Sequence, residues 1–191
     1  MAVYAYNIVR RSGLAHPNTL ALHWTIGSAI FSMLGAGILG FAHTWPQVNR
    51  WTHGTHITTM HGHMAFFGAY AMINLAMITY ALPAFAGVPE EGPYGPAPTQ
   101  SRQGQDIRLG LWAFWLMIGG MFGMTMALAA AGVTQTYLER IMGFGYLETQ
   151  QKLQVHYLMW LGTAVIFAAG VIAFIWDFAR AGLPRATVQR V

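Results

Sequence analysis

Four tracts of this chain carry no Asp, Glu, Lys or Arg: Ser12 to Asn49, Trp51 to Pro89, Leu109 to Leu138 and Leu153 to Trp176. No other feature restricts the fold as strongly. A helix needs only about 20 apolar residues to cross roughly 30 Å of hydrocarbon, and every tract is longer than that. The predicted fold class is therefore all-α, a polytopic membrane helix bundle. Transmembrane helices are predicted over about 19–42, 55–82, 109–137 and 152–179, with Val3 to Val9 as the stub of a fifth. Charged residues make up 8% of the chain, against about 25% in soluble domains. A soluble protein of this length could not cover its surface with so few.

The sparse charges also orient the bundle. Arg10 and Arg11 precede the first helix, Arg102 and Arg108 separate the second from the third, and Arg180, Arg185 and Arg190 follow the fourth. The other two connections hold Arg50, and then Arg140 and Lys152 beside Glu139 and Glu148. Basic loops stay in the cytoplasm, so both termini are expected there, with loops 43–54 and 138–151 facing outward. Trp45, Trp51 and Tyr137 fall at the predicted interfaces, where aromatic belts form. Residues 1–191 read as a single membrane domain. Its one irregular stretch is a cytoplasmic loop over 83–108, rich in Pro and Gly, which interrupt or resist regular structure. Gly119 and Gly123 form a GxxxG spacing that permits close helix approach. The absence of Cys excludes thiolate iron clusters and cysteine zinc sites. No basic stripe with interleaved aromatics exists, so no nucleic-acid partner is expected. No positive region precedes the first apolar run, so no signal peptide is expected.

The chemistry of the chain is concentrated in its histidines. His61 and His63 lie one residue apart within the second apolar tract. Successive helical residues turn by about 100°, so positions i and i+2 leave a helix on nearly opposite sides. One metal ion could not readily take both rings, whereas two planar cofactors on opposite sides could. The competing reading is two imidazoles hydrogen-bonded to neighbouring helices. Coordinating side chains inside a membrane are costly and mark function, and Gly62 between them leaves room for a flat ring. His53 and His56, near the outer end of the same helix, read as metal ligands, propionate partners or interface residues. His43 ends the first helix close by. His16, His23 and His156 read as structural or solvated.

The run from Thr52 through His53-Gly-Thr-His56-Ile-Thr-Thr-Met-His61-Gly-His63-Met-Ala-Phe-Phe-Gly resembles a helix of the large catalytic subunit of cytochrome c-dependent nitric oxide reductases, in the haem-copper oxidase superfamily. Gly35-Ala-Gly-Ile-Leu-Gly-Phe-Ala-His-Thr upstream and Tyr80-Ala-Leu-Pro, Trp112-Ala-Phe-Trp-Leu-Met and Ala129-Ala-Ala-Gly-Val downstream extend the resemblance to essentially the whole chain. The resemblance implies that His61 is the proximal ligand of a high-spin haem b3 and His63 one axial ligand of a low-spin haem b. His53 is implied as a contact of a haem propionate. The implied reaction reduces two NO to nitrous oxide and water with two electrons and two protons. The implied setting is the bacterial inner membrane, with the lipid bilayer and a membrane-anchored cytochrome c subunit as partners.

The family subunit has about twelve helices, and this chain matches the last four. The opposite ligand of the low-spin haem, the histidines of a non-haem iron and the family's glutamates are expected in a missing N-terminal portion. The chain thus reads as a C-terminal fragment, a mis-called start or half of a split gene, and is expected not to reduce NO alone. Two other readings are a fragment of a cbb3-like terminal oxidase and a freestanding electron-transfer cytochrome b. The latter would take a further ligand from His156, His23 or a second copy. A membrane structural protein without cofactor is the last alternative.

Overall fold

A computed structural model describes residues 18–85 and 107–182, and all of its regular elements are helical. The stub over 3–9, His16 and most of the 83–108 loop lie outside the described residues. Four helices have the length and hydropathy of membrane spans. They are α1 (Thr19–Thr44), α3 (His56–Ala81, helical on to Phe85), α4 (Arg108–Ile141) and α6 (Gln154–Gly182). The expected outer loops are more ordered than their sequences suggest. Pro46–Thr52 forms a short helix α2, with Pro46 at its first position, where its missing N–H costs nothing. Tyr146–Lys152 forms α5, with Lys152 paired to Glu148 one turn back at 3.8 Å. The helix α3 also runs past Pro83, so the predicted loop begins later than proline placement implies.

The spans pack in chain order, α1 on α3, α3 on α4, and α4 along α6. The core gathers Trp24, Phe31, Met64, Phe67, Phe114 and Met121 between the first three. Trp24 is fully buried, with the Phe114 and Phe174 rings meeting it edge-on at 5.0 and 5.8 Å. By contrast α6 is an edge helix, with 6% of its apolar window buried against 50% for α4. Polar side chains tie α1 to α3 at two heights. Asn18 donates its amide to the Thr79 carbonyl at 3.1 Å, and Ser28 donates its hydroxyl to the Gly68 carbonyl at 2.7 Å. In hydrocarbon such bonds have no water to compete with them.

Three wide, π-wound segments interrupt the spans: Met33–Leu39 in α1, Phe67–Met72 in α3 and Tyr137–Ile141 closing α4. Hydropathy cannot register them, and they bear on the site, since a π turn shifts the facing of every later residue. The first lies against the normally wound start of α3, and the second against the normally wound part of α1. Backbones nearly touch there: a Cβ on Gly35 would fall 2.5 Å from the Ala65 nitrogen. The α4–α6 contact corrects the expected GxxxG face. Gly119 opens onto free space, while a Cβ on Gly120 would fall 2.5 Å from the Phe167 nitrogen, with Gly123 against Thr163. The spacing was right for a close approach, but the rotation of α4 selects the neighbouring glycine.

Candidate functional site

The site begins with a turn. Gly54 adopts φ +75°, a conformation cheap only for glycine, and so redirects the chain from α2 into α3. The Thr55 hydroxyl oxygen then accepts the Ile57 N–H at 3.3 Å and caps the new helix. From this start, helical periodicity sends His61 and His63 to different neighbours.

His61 faces α1. Its Nδ1 stands 2.9 Å from the Gly35 carbonyl oxygen. A carbonyl can only accept, so Nδ1 carries the proton and Nε2 keeps a free lone pair. The same carbonyl accepts the Gly40 N–H through the π turn. Gly40 borders the ring, with its hypothetical Cβ 3.4 Å from His61 Cε1. The His43 ring lies over the His61 ring at 5.0 Å and 24°.

His63 faces α6 and α4. Its Nδ1 donates to the Thr59 carbonyl at 2.9 Å, one turn back, so its Nε2 is likewise a free lone pair. Trp160 of α6 meets the ring edge-on at 6.5 Å. The ring lines a groove of about 740 Å³ with Thr59, Gly62, Phe66, Tyr70 and Phe167. This volume is within the usual range for sites of drug- and cofactor-sized ligands. A Cβ at Gly62 would meet nothing within 4 Å, so the groove is open there. Among the described residues, neither Nε2 has a hydrogen-bond partner. Both histidines are half-buried and share one tautomer, with the proton on the backbone side and the lone pair open. That is the state of a neutral imidazole ready to bind a metal, its second nitrogen held by a carbonyl. No three His, Asp or Glu side chains among the described residues come together as a metal-ligand group, so any iron here would be held by single imidazoles. The single imidazole donors and the open, largely apolar groove fit a haem.

The remaining histidines divide by position. His53 ends α2 with an exposed side chain, and its carbonyl accepts from Arg140 at 3.4 Å. His56 lies seven residues before His63, on the same helix face. Its Nε2 is 2.7 Å from the Tyr157 hydroxyl, which donates to Gln150 Oε1. The His56 backbone N–H bonds Gln135, which in turn donates to Glu139 at 3.0 Å. Sequence reading missed this network, because Gln135 and Tyr157 are remote from His56 in the chain and only the packing of α4 and α6 on α3 brings them together. His23 donates to the Thr19 carbonyl at 2.6 Å, edge-on to Phe114. It precedes Gly35 by 12 residues, so it lies about 18 Å along the helix from the level of His61. That removes His23 as a partner ligand for the pair. His156 has its Nδ1 buried without a protein partner.

Changing Tyr157 to Phe should leave His56 Nε2 and Gln150 without their shared hydroxyl. A loss of about 1–3 kcal/mol is expected for polar groups stranded in this way, read as a lower unfolding midpoint in detergent. An unchanged midpoint would show that the network carries no stability.

Comparisons with known proteins identify the family of the chain. The family model described as Cytochrome C and Quinol oxidase polypeptide I matches residues 5–176. The chain belongs to that family, within the haem-copper oxidases, and is a multi-pass membrane protein. Within the family, the chain is similar to a nitric oxide reductase subunit from Stutzerimonas stutzeri, with 39% identity over 186 residues. The match covers 95% of this chain and 37% of that relative, so the chain spans little more than a third of the relative's length.

Proposed function

We propose that the chain is the haem-ligating portion of the catalytic subunit of a respiratory nitric oxide reductase. One observation carries the reading. Two half-buried imidazoles on one span present free Nε2 lone pairs on opposite sides, each with its Nδ1–H tied to a backbone carbonyl. In this reading His61 holds the high-spin haem b3 from the α1 side, and His63 holds the low-spin haem b in the groove toward α6. When bound, the two haems would supply electron transfer and the reduction of two NO to nitrous oxide and water.

The chain's own share is orientation and environment. The Gly35 and Thr59 carbonyls hold the rings in the ligating tautomer and raise their basicity. Phe66, Tyr70 and Phe167 wall the groove and keep water from a cofactor there. With both candidate ligands on one helix, the chain itself would fix how the two haems are held relative to each other. In this reading His53, near the outer end, would contact a haem propionate. The bundle then sits in the bacterial inner membrane with its basic loops in the cytoplasm. The non-haem iron and its ligands belong to polypeptide beyond this chain, and the electron donor is a membrane-anchored cytochrome c subunit.

The test is the spectrum of the protein purified from its own membranes. Reduction should give a sharp α-band from a six-coordinate b haem, and carbon monoxide should perturb a second, high-spin haem. A preparation that consumes NO without either signal, or that carries no haem, would end this reading. His53→Ala should keep both haems while lowering the potential of the propionate-bearing haem by up to about 60 mV, roughly 1.4 kcal/mol for one electron. Loss of a hydrogen-bonding partner would leave the propionate charge freer to stabilise the oxidised iron. A potential unchanged in redox titration would remove His53 from that role.

A further inference from the structure

One contact of the site has no role in ligation itself. The His43 ring lies nearly parallel to the His61 ring, with centroids 5.0 Å apart and planes 24° from each other. His43 is itself fixed, because its Nδ1 donates to the Leu39 carbonyl at 2.7 Å. That tautomer makes Nε2 an acceptor, yet His43 Nε2 is buried and has no hydrogen-bond partner. The polar end of the ring is thus unused by the protein, and what touches His61 is its flat face.

A flat face is what His61 lacks elsewhere. The bond from the β-carbon to the imidazole has a broad, soft torsional profile, so the rotamer does not set the ring plane. The hydrogen bond to the Gly35 carbonyl fixes one corner of the ring. Rotation about the line through that corner is still open on the side where Gly40 presents no side chain. His43 closes it. Leu39, Gly35 and Gly40 belong to the π-wound segment of α1 or to the residue following it, and His43 to the next turn. The wide turn therefore brings an end-on acceptor, a flush glycine and a parallel ring to one imidazole.

We propose that His43 is a positioning residue for His61, setting the plane of its imidazole by ring stacking and thereby the geometry of the bond from His61 to a haem iron. The inference rests on the haem reading above, and three variants separate the two. The protein is purified from its own membranes, and the iron–imidazole stretching band of the reduced high-spin haem is recorded by resonance Raman. In His43→Leu the band should shift and broaden, because the ring samples several planes. In His43→Phe, which restores a flat face without a polar atom, the band should return to its original position and width. The low-spin α-band, which depends on His63, should be unchanged in both and so reports an intact fold. If that band is lost in the Leu variant, His43→Met provides the same comparison with a flexible chain of similar bulk. An unaltered stretching band in His43→Leu or His43→Met, or a Phe variant that changes as much as they do, overturns the positioning role alone. A stretching band that survives in His61→Ala overturns the ligand assignment and the positioning role with it.

Discussion

Replacing His63 by alanine is expected to abolish the low-spin α-band and leave the high-spin haem in place, and replacing His61 should do the reverse. The reasoning is geometric. The two side chains leave α3 about 200° apart, one toward the Gly35 carbonyl of α1 and the other toward Trp160 of α6. They share no hydrogen-bond partner, so removing one leaves the other's tautomer and plane unchanged. Alanine is the strongest helix former, and both imidazoles are only half-buried, so neither change should open a large cavity. The expected effect is near-complete loss of one pigment, with helical content by circular dichroism unchanged. Two results contradict it. Both pigments could persist in either variant, or both could vanish in each variant while the helices remain intact.

The second large effect is expected from a single methyl group. In Gly35→Ala the new Cβ meets Ala65 N at 2.5 Å, Met64 C at 2.7 Å and Ala65 Cα at 2.8 Å. All three are backbone atoms, so no side chain can swing aside. Carbon atoms sit comfortably at about 3.5–4.0 Å, so α1 and α3 must part by about 1 Å. The His61 hydrogen bond, now 2.9 Å, would then exceed bonding distance. Overpacking costs about 1–3 kcal/mol and the lost hydrogen bond about 1 kcal/mol, so destabilisation of about 2–4 kcal/mol is expected, together with weaker retention of the high-spin haem. Gly37→Ala is the control, because its Cβ would meet only the Ser32 carbonyl oxygen, at 3.8 Å. Equal thermal stability of the two variants would refute the close-contact account.

The His61 site also shows where one-dimensional reading stops. That both rings of the pair leave the helix in opposite directions follows from a period of 3.6 residues. Which partners they meet does not, because Gly35 lies 26 residues upstream and reaches His61 only through the packing of α1. The same holds for Tyr157, which meets His56 from a distance of 101 residues in the chain. The glycines of α4 make the point in miniature: the spacing of Gly119 and Gly123 announced a close contact, and Gly123 makes it together with Gly120 rather than Gly119.

Span number, span length and the all-α class were legible in the sequence because the cost of placing charge in hydrocarbon is paid residue by residue, and a run without charge is visible in one dimension. The opposed directions of His61 and His63 were legible for a related reason, since they depend on helical geometry alone. The π-wound segments, the short outer helices, the groove beside His63 and the stacked His43 emerged with packing. Each depends on how far one helix is rotated against another, and that angle is set by the summed contacts of side chains remote in sequence.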